Sequence, residues 1–357
     1  MNEALRAAVR FAQAHESRWP RDPAAPLAPG AVPWGVHHGD PPPFNRLRGP
    51  VHARGAQSGV VWQHGDEIAA WGEPARADLT FSVAKSYLAL LAGIAQRDGL
   101  VPDEDACVAD RLPGIGFDSA HNRAITWTHL LTQTSEWEGT CFGIPDTVDR
   151  WRKVALDPHP PGGPKGGARP LQAPGSYWEY NDVRINQLAL ALLHLFGKPL
   201  PNLFLDEVLA PLGGGEGFAW DGYEDSWIEL PLVGRVQSVP GGSHWGGGVS
   251  ISARDQARIG QMMLDGGAVV GRTIVARDWI ERMATPSPIA PFYGRLLWLN
   301  RGGEAFPGAS TRAFVMQGAG DHQVWIDPEL DSVVVLRWLD AAHAAATFQR
   351  FADALRR

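Results

Sequence analysis

Ser82-Val83-Ala84-Lys85-Ser86-Tyr87-Leu88-Ala89-Leu90-Leu91-Ala92-Gly93-Ile94-Ala95-Gln96-Arg97 runs directly into Asp98-Gly99. Its apolar residues recur at helical spacing and Asp98-Gly99 is a stop signal, so the stretch predicts a helix over 82–97. Ser82 and Lys85 then lie on one face, their Cβ atoms about 5–6 Å apart. A serine hydroxyl is a poor nucleophile until a base takes its proton. A neutral lysine can do so where burial and the positive end of a helix disfavour its charge. The chain has only four lysines, Lys85, Lys153, Lys165 and Lys198, against many arginines, which gives the pair added weight. The plain alternative is an exposed helical lysine beside an N-terminal helix serine.

Outward from this helix, the N-terminal residues 2–16 are amphipathic, and Pro20 to Pro50 is Pro-rich loop. Ser58–Gln63 and Glu67–Gly72 are β-prone runs joined by His64-Gly65-Asp66, a hairpin signature. Thr126 caps a short helix at 127–131, and Pro158–Pro174 is loop. A helix over Ile185–Phe196 ends at Gly197, and a Gly-rich break from Pro240 to Gly248 precedes a helix over 253–266. Arg312–Gln317, Gln323–Asp327 and Ser332–Trp338 read as strands before a closing helix, Ala341 to Leu355. Strands at both ends with helices between predict an α+β fold of three α/β/α layers: one antiparallel sheet from both chain ends, flanked by terminal helices, plus a helical insertion. The predicted sheet domain comprises 1–78 and 235–357, the mainly helical domain 79–234, with the site in the cleft between them.

Two further segments carry candidate chemistry. In Tyr177-Trp178-Glu179-Tyr180-Asn181-Asp182, between a Pro/Gly-rich loop and a helix, Tyr180 is placed to relay protons at a cleft, or else is a core aromatic with a satisfied hydroxyl. In Met316-Gln317-Gly318-Ala319-Gly320 the glycines let backbone approach a substrate, and the amides of Ser82 and Ala319 are candidate oxyanion donors. The alternative there is a β-bulge without a ligand.

Together these residues resemble the serine β-lactamase and penicillin-recognising superfamily, closest to the branch of class C β-lactamases, family VIII esterases and 6-aminohexanoate-dimer hydrolase. The resemblance runs from about Gly55 onward and includes Trp127-Thr128-His129-Leu130-Leu131-Thr132-Gln133-Thr134-Ser135 and Gly246-Gly247-Gly248. It implies acylation of Ser82, Lys85 as partner base, Tyr180 assisting acylation and deacylation, and no metal or cofactor. Two departures weigh against β-lactam substrates. Tyr180-Asn181-Asp182 puts an acid where the family's Tyr-x-Asn has an amide. Met316 or Gln317 stands where the third motif has a lysine or histidine, unless His322 or an arginine substitutes, and the register on Gly318 or Gly320 is open.

Trp137, Trp151, Trp245 and His244 are candidates to line an acyl pocket, and Asp146 and Asp182 to bind a substrate ammonium; packing roles and solvated loop carboxylates are the alternatives. No His-Glu-x-x-His occurs, and the His37-His38 pair sits in Pro-rich loop, which argues against a metal. No Gly-x-Ser-x-Gly elbow or phosphate loop is present. The net charge of −7, with both signs dispersed, argues against nucleic acid. No run of about 18 apolar residues predicts a membrane span, and the N-terminus lacks the apolar stretch of a signal peptide. With Cys107 and Cys141 read as unpaired, a cytoplasmic hydrolase of small esters or amides is the expectation. A D-amino-acid peptidase, a weak β-lactamase and a catalytically silent binding protein are its rivals.

Overall fold

The computed structural model describes residues 2–26, 34, 40–154, 156–158 and 162–357. His37, His38 and the 159–161 portion of the Pro158–Pro174 loop lie outside the described residues.

The chain ends build a six-stranded antiparallel sheet in the order Trp298–Leu299, Phe314–Gly318, His322–Asp327, Ser332–Arg337, Ser58–Gln63, Asp66–Trp71. The N-terminal hairpin closes tighter than its sequence signature implied. Gln63 pairs with Asp66, leaving His64 and Gly65 as a two-residue turn with φ of 53° and 83°. Left-handed backbone at both positions matches the twist of the flanking strands. In the second hairpin, Asp327 Oδ1 accepts the Glu329 amide at 3.1 Å, which starts the turn through Pro328.

Consecutive strand residues face opposite ways. Trp325 meets Phe348 of the C-terminal helix Ala344–Leu355, at 5.0 Å between ring centroids, and Phe351 of that helix stacks on Trp71. Ile326 and Val333, on the other face, meet Gly260 of the helix Ala253–Leu264. The N-terminal helix Glu3–Ala14 packs beside the C-terminal one, and Asn2 Oδ1 caps it by accepting the Leu5 amide at 2.8 Å. These are the three layers, with the sheet as the middle one.

The helix Val83–Arg97 is buried along Val83–Ala95 and packs against both the sheet and the helix Asp182–Phe196. The latter starts three residues before the expected Ile185. Asn181 Oδ1 caps it by accepting the Val183 amide, and Gly197, at φ 60°, ends it. The expected closing helix from Ala341 begins instead as a 3₁₀ turn, Ala341–His343. A smaller sheet, Ala77–Leu79, Gly248–Ser252 and Ala219–Asp221, ties the approach to Ser82 to the Gly-rich break. No single helix among the described residues is long and apolar enough to cross a membrane.

Candidate active site

Ser82 stands at the N-terminus of the Val83–Arg97 helix, presented by a strained neighbour. Phe81 has φ 52°, a left-handed conformation that costs an L-residue on the order of 1–3 kcal/mol. It is held there by aromatic packing: its ring lies 5.3 Å from Trp19, 5.9 Å from Trp34 and 6.0 Å from Trp338. The strand Phe314–Gly318 comes up alongside, and a Cβ on Gly318 would stand 2.1 Å from the Thr80 carbonyl oxygen and 3.2 Å from the Ser82 amide nitrogen. Gly318 is therefore the third-motif glycine that faces the serine, whereas Gly320 abuts Trp338. Among the described residues neither the Ser82 nor the Ala319 amide donates a backbone hydrogen bond. Both residues line a cleft of about 490 Å³ together with Tyr180, Arg152, Trp298 and Gly318.

One turn into the helix, the almost wholly buried Lys85 places Nζ 3.0 Å from Ser82 Oγ and 2.5 Å from Asp182 Oδ1. The same ammonium lies 4.7 Å from the Tyr180 ring centroid. Tyr180 is stacked on Trp298 at 5.6 Å, and its chain segment is pinned by Gln133, which accepts the Asn181 amide at 2.7 Å and donates to the Tyr293 hydroxyl. Ser82, Lys85 and Tyr180, far apart in sequence, thus converge at one end of the cleft.

Asp182 does not face a substrate ammonium. Its carboxylate is buried and bridges two cations, Lys85 through Oδ1 and Arg152 Nη1 through Oδ2 at 3.1 Å. Burial opposes its charge, yet Arg152, Lys85 and His244 hold its carboxyl well below the usual carboxylate range. Behind it, Asp149 Oδ2 accepts the Asp182 amide at 2.7 Å, and His244 Nε2 lies 2.6 Å from Asp40, which also pairs with Lys165. Asp149, Asp182 and His244 bring ligand-type atoms within 4.8 Å of one another. Lys85, Arg152, Lys165 and His244 already pair with Asp40, Asp149 and Asp182, so a divalent cation there would have to displace existing ion pairs.

Other expected pocket residues lie elsewhere. Trp137 is sealed in the core against Phe117, and Trp245 is buried with its indole N–H donated to the Phe44 carbonyl. His244 belongs to the charge cluster rather than the cleft wall. His322 is buried between Phe81 and Trp338, where burial and the nearby Arg337 and Arg54 hold its imidazole well below the usual range, so it supplies no cation to the cleft. Asp146 is consumed by Arg184 and Arg150, at 2.9 Å each. Trp151 packs under Arg169, its amide donated to Glu179 Oε1, outside the cleft lining. Sequence reasoning missed Arg152, Gln133, Asp149 and Trp298; only the left-handed backbone at Gln133, φ 58°, marks one of them as unusual, and that is visible only in the fold.

A serine at a helix start in contact with a buried lysine one helical turn on is an arrangement in which a lysine can activate a serine hydroxyl. The Beta-lactamase family model matches residues 47–338, and the chain belongs to that family. It is 38% identical over 101 residues to a 6-aminohexanoate-dimer hydrolase of Paenarthrobacter ureafaciens, a match covering 25% of this chain and about a quarter, 24%, of that relative. A family VIII carboxylesterase superposes with a TM-score of 0.60 at 18% identity, covering 84% of this chain and 92% of its own. A penicillin-binding protein homolog from Caulobacter crescentus gives 0.59 at 16% identity, covering 88% and 94%. At such identities the superpositions speak for the fold alone.

Proposed function

We propose that this chain hydrolyses small esters or amides through an acyl-enzyme on Ser82. The observation that carries the reading is the 3.0 Å contact between Lys85 Nζ and Ser82 Oγ, made by a lysine almost without solvent. Lys85, in the form that has given up its proton, takes the hydroxyl proton as Oγ attacks the substrate carbonyl. The resulting oxyanion lies between the amides of Ser82 and Ala319, donors of a kind whose loss typically costs about 10²–10³ in turnover. Tyr180, beside Lys85, passes the proton to the leaving group, and water entering from the cleft is activated by the same pair to release the acid. The cleft volume suits a compact molecule. The third-motif strand offers a β-lactam carboxylate no cation, since Met316 is buried, Gln317 brings no charge and His322 faces the core, which leaves Arg18 and Lys153 of the cleft wall, and Arg152 beside Asp182, as the only described cations lining that cleft. A cytoplasmic setting and a small-molecule partner complete the proposal.

The test is intact mass after a fluorophosphonate, on wild type and Ser82→Ala, beside turnover of p-nitrophenyl butyrate, nitrocefin and a linear aminohexanoate amide. A Ser82-dependent adduct with ester or amide turnover supports the proposal. Nitrocefin turnover would favour a β-lactamase, and neither adduct nor turnover a silent binding protein.

A further inference from the structure

The two oxygens of Asp182 are committed to different cations, and both cations lie close to Tyr180. Lys85 Nζ is 4.7 Å from the Tyr180 ring centroid and the Arg152 guanidinium 5.3 Å. Arg152 Nη1 reaches Asp182 Oδ2 at 3.1 Å and Asp149 Oδ2 at 3.2 Å. A buried lysine paired with a carboxylate that had no other partner would be held firmly as an ammonium, which cannot accept a proton from Ser82. Sharing that carboxylate with a permanently charged guanidinium weakens its hold on the lysine proton.

We propose that Arg152 is a positioning residue of this hydrolase: by holding the second oxygen of Asp182 it divides that carboxylate between two cations and leaves Lys85 free to exchange a proton with Ser82. The role rests on the acyl-enzyme reading above and assigns to the loop before residue 153 a part in proton transfer that no motif marks. Arg152 is anchored for it from behind, because the preceding Trp151 donates its amide to Glu179 Oε1 at 2.9 Å. The charged and titratable groups that face the Lys85–Asp182–Arg152 array are Asp149 from its own loop, Tyr180, His244 with Asp40 behind it, Lys165, Tyr223 and Tyr293.

The experiment compares wild type, R152Q, R152K, D182N and R152Q/D182N by kcat and KM against pH on an ester the wild type turns over, with fluorophosphonate labelling of Ser82 in parallel. R152Q lowers kcat about tenfold near neutral pH, leaves KM within about twofold, and moves the acid limb of kcat alkaline by about one unit. R152K, which keeps the charge on a more flexible stem that need not place a nitrogen where Nη1 meets both carboxylates, gives a smaller shift in the same direction. In the D182N background the R152Q change moves the limb much less, because the carboxylate that Lys85 and Arg152 share is gone and only Asp149 still pairs with Arg152. An acid limb unmoved in both Arg152 variants, or moved equally with and without Asp182, overturns the role; should R152Q fail to fold, the limb of R152K decides in the same way. Wild type left unlabelled at Ser82 would instead sink the acyl-enzyme reading, and this role with it.

Discussion

Gly242 lies so close to Lys85 that a Cβ built on it would stand 3.0 Å from Nζ, with Asp182 Oδ2 at 3.2 Å and Ser82 Oγ at 3.4 Å. One hydrogen atom's worth of surface on the Gly-rich break therefore packs against Ser82, Lys85 and Asp182 together. The Gly242 backbone lies outside the left-handed region, so alanine is conformationally acceptable there. Gly242→Ala should keep the fold, because the end of a lysine can shift. Turnover should drop by up to about a hundredfold as Nζ is pushed off its 3.0 Å contact. Melting temperature and kcat measured on the same preparation check it; unchanged kcat would mean the dyad tolerates the displacement.

Gly318 meets backbone, which cannot swing aside. Its absent Cβ would lie 2.1 Å from the Thr80 carbonyl oxygen. Gly318→Ala should lower both stability, by about 1–3 kcal/mol, and activity, since the strand must retreat from the Ser82 amide. Urea unfolding alongside ester turnover distinguishes it from Gly242→Ala, where only activity falls.

Asp182→Asn leaves two buried cations without their shared carboxylate and should cost about 3 kcal/mol at pH 7. The sign of its pH dependence follows from the depressed carboxyl. A folded-state value below the unfolded one, about 3.9, gives stability that is fully present above that value and is lost as the pH falls towards the folded one. The gap between wild type and Asp182→Asn in urea midpoint should thus be full at pH 7 and shrink below about pH 4. A gap that widened in acid would contradict the ion-pair account.

Asp321 presents the opposite sign. Burial pushes its carboxyl up to about 6, with Asp340 adding to the shift while the Gln323 and Gln317 amides counter it. No cation pairs with it among the described residues. Its ionisation therefore costs stability as the pH rises from about 4 to about 6, at about 1.4 kcal/mol per unit of displacement. It also sits at φ 56°, where asparagine is among the best tolerated residues. Asp321→Asn should raise the melting temperature at pH 7.5 and leave it nearly unchanged at pH 4.5.

The helix of Ser82 and Lys85, both hairpins and the glycine strand were legible because each is announced locally, by periodicity, stop signals or turn residues. The Ser82–Lys85 contact was legible from helical spacing, and the place of Tyr180 beside it only through the family resemblance. What the pocket is made of was not. Trp137 and Trp245 differ from Trp298 in which side of a packed segment they fall on, and no spacing rule encodes that. Asp182 read in the one-dimensional pattern as a substrate ligand or a solvated loop carboxylate, and its true partners, Lys85 and Arg152, come from two other stretches of chain. Arg152 itself is one arginine among many, its importance set by long-range contacts alone.

The edge-to-edge pairing of Ser58–Gln63 with Ser332–Arg337 also constrains how the molecule comes into being. During synthesis the first hairpin leaves the ribosome long before its central-sheet partner exists, with the Ser58–Gln63 edge open to unwanted strand addition until then. The wall that carries Ala319 is likewise translated late. A nascent chain that has not yet reached Ser332–Arg337 therefore holds the Ser82–Lys85 helix without the rest of its cleft, and the site is completed only through contacts of high sequence separation that form slowly.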